Sequence, residues 1–257
     1  MTEHFATAVR GSGPGLVLAH GGGGSIAGNF GPIIDDLART HTVVGSDYPG
    51  SGDTPRATRP LALDFMADEL VRAAVDAGVG RFDILGYSLG TAVAVRAASR
   101  HPQRVTGLVL TAGFAYPNAR MRLAVDIWRR LLDGDRTLLA SYLTLVATGD
   151  RHLDALGPGE LEDSIKALAE FIPAGSREHV DLVESVDLRA ELPRLAVPTL
   201  VIATTLDGLA PPALSRELAE AIPGAKLVEV EAGHGIGAEA RDAWLAAIQG
   251  FLARERG

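Results

Sequence analysis

Residues 86–90 read Gly-Tyr-Ser-Leu-Gly, a serine with a glycine two places away on each side. A serine hydroxyl is a poor nucleophile at neutral pH. It needs a base, an acid that orients the base, and donors for the oxyanion. The surroundings of Ser88 matter more than the pentapeptide. An apolar, strand-like run (Phe82, Ile84, Leu85) precedes it, and an Ala/Val-rich helical run (Ala92 to Ala98) follows. A strand that turns sharply into a helix holds its serine in a strained backbone conformation and leaves no room for bulk two residues away, a demand that Gly86 and Gly90 meet. The helix N-terminus then points at whatever Ser88 attacks.

The base is expected at the C-terminal end of a strand. Of the seven histidines, His234 fits best, in Glu231-Ala232-Gly233-His234-Gly235 after the last apolar run. Glycines on both sides permit a loop that reaches back over the sheet, although a histidine in such a loop is also a common polar loop residue. Asp207 follows the run Thr199 to Thr204 and is the candidate acid; its alternative role is a turn or cap residue before Pro211-Pro212. The rival position after Val105–Thr111 offers Gly113 to Asn118 and no carboxylate. For the oxyanion, the Leu89 amide at the helix start is one expected donor. The other is expected from the loop His20-Gly21-Gly22-Gly23-Gly24-Ser25 after the first buried strand, because glycines let amides approach a ligand without a Cβ in the way. That loop lacks the Lys-Ser/Thr of a phosphate-binding loop and the spacing of a dinucleotide fingerprint. His20 is expected to hold the loop backbone.

Elements must place these residues at one sheet edge. Strand and helix signals alternate. Strands are predicted at 15–20, 43–47, around Phe82, at 105–111, 199–204 and 226–231, with helices at 26–39, 61–77, from Thr91, 212–221 and 238–253. Between about 114 and 190 no β run occurs. Met121, Val125, Trp128 and Leu132 share one helical face, and further helices are predicted around Leu138–Val146, Leu161–Phe171 and 177–190. Such alternation implies an α/β fold, a mostly parallel sheet with helices on both faces. Residues 1–113 and 191–257 form its core, and 114–190 read as an inserted helical cap, not an independent domain.

The chain has 257 residues, 47% of them hydrophobic, and a net charge of −8, enough apolar material for one large core. No basic stripe suggests nucleic acid. The absence of cysteine excludes thiolate catalysis, disulfides and cysteine-ligated metals. No apolar run reaches membrane-spanning length and no secretory signal is seen, so a soluble, cytoplasmic protein is expected.

The segments HGGGGS, SDYPGSGDTP, GYSLG, TTLDGLAPP and AGHG together resemble the α/β-hydrolase superfamily over essentially the whole chain. The resemblance implies Ser88 as nucleophile, His234 as base, Asp207 as its partner, and Leu89 and Gly22 as oxyanion donors, with no metal or organic cofactor. It makes Asp47 structural. It disfavours haloalkane dehalogenase and epoxide hydrolase chemistry, because those relatives carry Asp at the nucleophile position. The helix after AGHG lacks the proline often found there, so a local change in the pocket wall is expected. The cap offers Phe114, Tyr116, Met121 and Trp128 as substrate-binding candidates, with Tyr142 and Phe171 beside them; an aromatic stripe on helices is also ordinary core. Arg120, Arg122, Arg129 and Arg130 read as a solvated face rather than an anion clamp. The expected partner is a small-molecule acyl substrate, an ester or lactone with an apolar acyl group. Lactone, C–C bond or perhydrolase chemistry on the same triad, or a receptor-like protein with little turnover, stand as alternatives.

Overall fold

In the computed structural model, residues 4–254 are described. Seven strands form one sheet: β1 (Thr7–Arg10), β2 (Gly15–Ala19), β3 (Thr42–Ser46), β4 (Phe82–Tyr87), β5 (Val105–Thr111), β6 (Thr199–Thr204) and β7 (Lys226–Val230). Their order is β1-β3-β2-β4-β5-β6-β7, antiparallel only where β1 joins β3. The sequence signals did not reveal β1, because all four of its residues are exposed and it carries no buried alternation.

Side-chain alternation along the strands builds two cores. Val17, Ala19, Ile84, Leu108 and Leu110 face one layer, while Leu16, Leu18, Leu85 and Val109 face the other. The second layer is covered by α1 (Ile26–Phe30), α2 (Ile34–Ala38) and the C-terminal helix, whose Trp244 stacks on Phe30. The first is covered chiefly by α3 (Leu63–Asp76) and α4 (Leu89–Arg100).

The helix expected over 26–39 is broken in two. Residues 31–33 form a turn, and Pro32 has no N–H to continue the ladder. Between β5 and β6 lie five α-helices, α5 (Ala119–Leu131), α6 (Arg136–Ala147), α7 (Asp150–Ala155), α8 (Pro158–Phe171) and α9 (Ser176–Ser185), and a short 3-10 helix at Leu192–Arg194. The short α7 has no buried residue, which is why no apolar face announced it. After β6 come α10 (Pro212–Ala221), α11 (Ile236–Glu239) and α12 (Arg241–Arg254), the last two replacing the single terminal helix expected from Ala238.

The sheet reverses direction at β2. The chain leaves β2 for β3 on one side and returns to β4 on the other, so β2 pairs with both. Loops that leave such a switch point diverge and open a crevice above the strand ends. Here they are the glycine quartet Gly21–Gly24 and the Ser88 turn, brought side by side by the pairing of Ala19 with Gly86.

Candidate active site

Ser88 is the single residue between β4 and α4, with φ 53° and ψ −121°. Positive φ costs a residue with a Cβ free energy, so the surroundings must enforce it. They do so through bonds at both of its peptide groups. Ser88 N–H donates to Thr111 O at 2.9 Å, and its carbonyl accepts from Thr91 N–H and Thr91 Oγ1. A Cβ on Gly90 would lie 1.9 Å from Ala19 O, so only glycine lets α4 start this close to the end of β2.

His234 lies in the loop after β7. Its Nε2 is 3.0 Å from Ser88 Oγ, and its Nδ1 is 2.6 Å from Asp207 Oδ2. An ionised carboxylate only accepts, so Nδ1 carries the proton and Nε2 is left to accept from the serine hydroxyl. Asp207 is buried, and its carboxylate is fully partnered. Oδ1 accepts from Leu209 N–H and Ala210 N–H at 2.9 and 2.8 Å, and Oδ2 also accepts from Thr204 Oγ1 at 3.0 Å. The two readings of Asp207 therefore coincide: the turn before α10 aims the same carboxylate that holds the imidazole.

The loop of His234 is fixed from three sides. Tyr87 Oη donates to His234 O, Gly233 N–H donates to Glu239 Oε2 at 2.7 Å, and Gly235 N–H donates to Ala147 O at 3.2 Å. Glu239 also accepts from Gly149 N–H, at the start of α7, at 3.1 Å. Nothing in the sequence pointed to Glu239, whose partners are backbone amides.

Of the four glycine amides in the quartet, three are engaged. Gly21 N–H donates to Asn29 Oδ1 at 2.8 Å, Gly23 N–H to His179 Nδ1 at 3.1 Å, and Gly24 N–H to Gly21 O at 3.2 Å. Gly22 N–H and Leu89 N–H have no acceptor among the described residues. His20, wholly buried, donates from Nδ1 to Gly21 O and accepts at Nε2 from Tyr48 N–H. Asp47 accepts from Ile26 N–H at 2.7 Å, and burial pushes its carboxyl above the usual range.

A cavity of about 590 Å³ opens over Ser88 and His234. Its floor is the glycine quartet, and its roof includes Met121, Val125, Trp128, Leu143, Leu168 and Phe171. Among the described residues, no Asp, Glu, Lys or Arg lines it. Two of the expected wall residues are elsewhere. Phe114 is fully buried in the core layer under α4, because it follows β5 closely, before α5 begins. Tyr116 packs beneath the Arg189 guanidinium, 4.4 Å from its ring centroid. Tyr142 also turns away and donates to Ala124 O. The arginines of α5 are spent on other partners: Arg120 and Arg122 on backbone carbonyls, Arg129 on Asp181 and Glu184, Arg130 on Asp126. Among the described residues no cluster of acidic and histidine side chains suits a metal ion, and no helix is long and apolar enough to cross a membrane.

Comparison with known proteins agrees with this architecture. The family model described as alpha/beta hydrolase fold matches residues 14–240. The chain is 31% identical to the pyrrolizixenacetamide deacetylase of Xenorhabdus hominickii, over 96% of this chain and 94% of that one. It is 33% identical to a pimeloyl-[acyl-carrier protein] methyl ester esterase of Xanthomonas oryzae pv. oryzae, over 88% of this chain and 89% of that one. A solved hydrolase from Pseudomonas aeruginosa superposes with a TM-score of 0.85 at 25% identity, covering 96% of this chain and 94% of that chain. The chain belongs to the α/β-hydrolase-fold family.

Proposed function

We propose that this α/β-hydrolase-fold protein is a serine hydrolase that cleaves small to medium acyl esters through an acyl-enzyme, with residues 114–190 as its cap. One observation carries the reading. The hydrogen-bonded series Asp207–His234–Ser88 ends at the floor of an apolar cavity, beside two amides that have no acceptor among the described residues.

The substrate carbonyl sits over Ser88 with its oxygen toward Gly22 N–H and Leu89 N–H. Ser88 Oγ attacks the carbonyl carbon as its proton passes to His234 Nε2, and Asp207 remains ionised and stabilises the imidazolium. The two amides hold the oxyanion, whose charge is greater than that of the ground-state oxygen. Collapse expels the alcohol, which takes the proton from Nε2. Water then attacks the acyl-serine, gives its proton to Nε2, and the carboxylic acid leaves by the reverse path. Among the described residues no Lys or Arg lines the cavity to pair with a substrate carboxylate, which favours a neutral, apolar acyl group.

The likeness to a protein named a deacetylase supports a second substrate type, the acetamide, since the same steps apply with an amine leaving group that must be protonated by Nε2. The test is labelling of Ser88 by a fluorophosphonate together with turnover of paired O-acyl and N-acetyl substrates. Labelling and turnover that both vanish in Ser88→Ala support the reading. Labelling without turnover of any ester or amide would leave a ligand-binding protein instead.

A further inference from the structure

Four consecutive glycines form a loop with no side chains to hold it and the greatest backbone freedom of any sequence. Yet the Gly22 amide must be held to a fraction of an ångström if it is to favour an oxyanion over a carbonyl. Gly24 N–H to Gly21 O closes a turn over Gly21–Gly24, and Gly23 at its third position has φ +64°, the sign a type II turn requires. Such a turn differs from type I by a flip of its central peptide, which for glycine costs little. Gly23 N–H belongs to that peptide.

Its partner comes from the cap. His179 on α9 is fully buried, accepts from Gly23 N–H at Nδ1 (3.1 Å) and donates from Nε2 to Pro49 O (3.0 Å). These two partners define one tautomer: the nitrogen facing an amide is bare, and the one facing a carbonyl carries the proton. Pro49 lies in the turn after β3, which the cap also grips through Gly175 N–H to Gly50 O at 3.1 Å. Trp128, on α5, presses on the same glycine, since a Cβ on Gly23 would lie 2.4 Å from its Cζ2.

We propose that His179 is a positioning residue that fixes the glycine turn from the cap side, so that the oxyanion site is complete only with the cap docked. This rests on the hydrolase reading above for its catalytic consequence, and on the contacts alone for its structural one. Asn29 and His20 hold the Gly21 side of the Gly22 amide from within the core, and His179 holds the Gly23 side from the cap.

Two substitutions separate the two bonds of the imidazole. The amide of Asn reaches the place of Nδ1, and that of Gln reaches the place of Nε2. His179→Gln keeps the donor to Pro49 and loses the acceptor for Gly23. His179→Asn keeps the acceptor and loses the donor. With both variants folded at similar Tm, His179→Gln is expected to lower kcat about tenfold with KM within about twofold, because the loss falls on the transition state. Affinity for a trifluoromethyl ketone, whose hemiketal oxyanion occupies the same site, should fall by the same factor. His179→Asn should restore both to within about threefold of wild type. Hydrogen exchange of the Gly23 amide supplies a readout independent of turnover: protected in wild type and His179→Asn, unprotected in His179→Gln. Equal kcat in the two variants, or equal Gly23 protection, overturns the proposal. A wild-type protein that neither reacts with the fluorophosphonate nor turns over substrate overturns the hydrolase reading instead, and the exchange pattern still decides what His179 does to the loop.

Discussion

The floor and the roof of the cavity are built on different principles. The floor consists of strand ends: Ser88 after β4, His234 after β7 and the glycine quartet after β2, with Asp207 after β6 buried behind His234. Each of these residues has a backbone or hydrogen-bond requirement that few residue types meet, such as positive φ at Ser88 or four acceptor contacts at Asp207. The roof asks only for apolar volume at a given distance, and Met121, Val125, Leu143 and Leu168 supply it with interchangeable chemistry. The floor should therefore fail by steps of chemistry and the roof by degrees of fit.

The sharpest break is at the floor. Ser88→Ala is expected to lower kcat by about 10⁶-fold, and His234→Ala by nearly as much, with the double variant little worse, because the residues share one proton transfer. Asp207→Asn should cost about 10⁴-fold by favouring the wrong imidazole tautomer. Tm in Ser88→Ala should stay close to wild type. An Asp207→Asn rate within about threefold of wild type would place the orienting acid elsewhere.

At the roof, Trp128 is both core and wall: it is 7% exposed and lines the cavity. Trp128→Ala is expected to lose about 3–5 kcal/mol of stability and also to shift the preferred acyl chain longer, by about 10- to 200-fold in relative kcat/KM. Phe114→Ala is the control, with a similar loss of stability and a flat acyl-length profile. If Phe114→Ala shifted the profile as Trp128→Ala does, the division between core and wall would be wrong.

Glu239 joins the two regions, since its carboxylate accepts from Gly233 beside His234 and from Gly149 between α6 and α7. Glu239→Ala should lower kcat about tenfold by loosening the His234 loop, with KM little changed. A pure KM effect would mean that Glu239 serves the cap alone.

The smallest effect is a dependence of stability on pH from the buried imidazoles. Burial, and for His20 the neighbouring His179, pushes His20 down from 6.5 to about 3, and burial pushes His179 down from 6.5 to about 4. The unfolded chain therefore binds more protons than the folded one in this window, so stability falls as pH drops from 6.5 toward 4. Tm measured across that range should fall progressively, and less steeply in His179→Asn.

The parts of the fold legible in the chain were those under strong local constraint. Buried strands such as β2, β4, β5 and β6 declare themselves by apolar runs, and the Ser88 turn by its glycines. β1 was silent because nothing in it is buried, and the break at Pro32 was masked by an apolar periodicity that continues through it. On α5, the shared face of Met121, Val125 and Trp128 is visible in the sequence, and all three line the cavity. Phe114 and Tyr116 match a pocket wall in residue type alone, and their directions are set by how the chain leaves β5, which no spacing encodes.

What the sequence determined by itself is the set of residues whose backbone demands are local: a serine between two glycines, a run of glycines after a strand, a histidine in a glycine loop. What only the tertiary structure decided is which distant groups hold them. His179 lies 156 residues from Gly23 and 130 from Pro49, on a helix whose pattern gives no sign of either. A hydrogen bond to a backbone amide places no requirement on the identity of the residue that offers the amide, so it leaves no motif. Only the packing of α9 against the sheet's loops brings the imidazole to the turn.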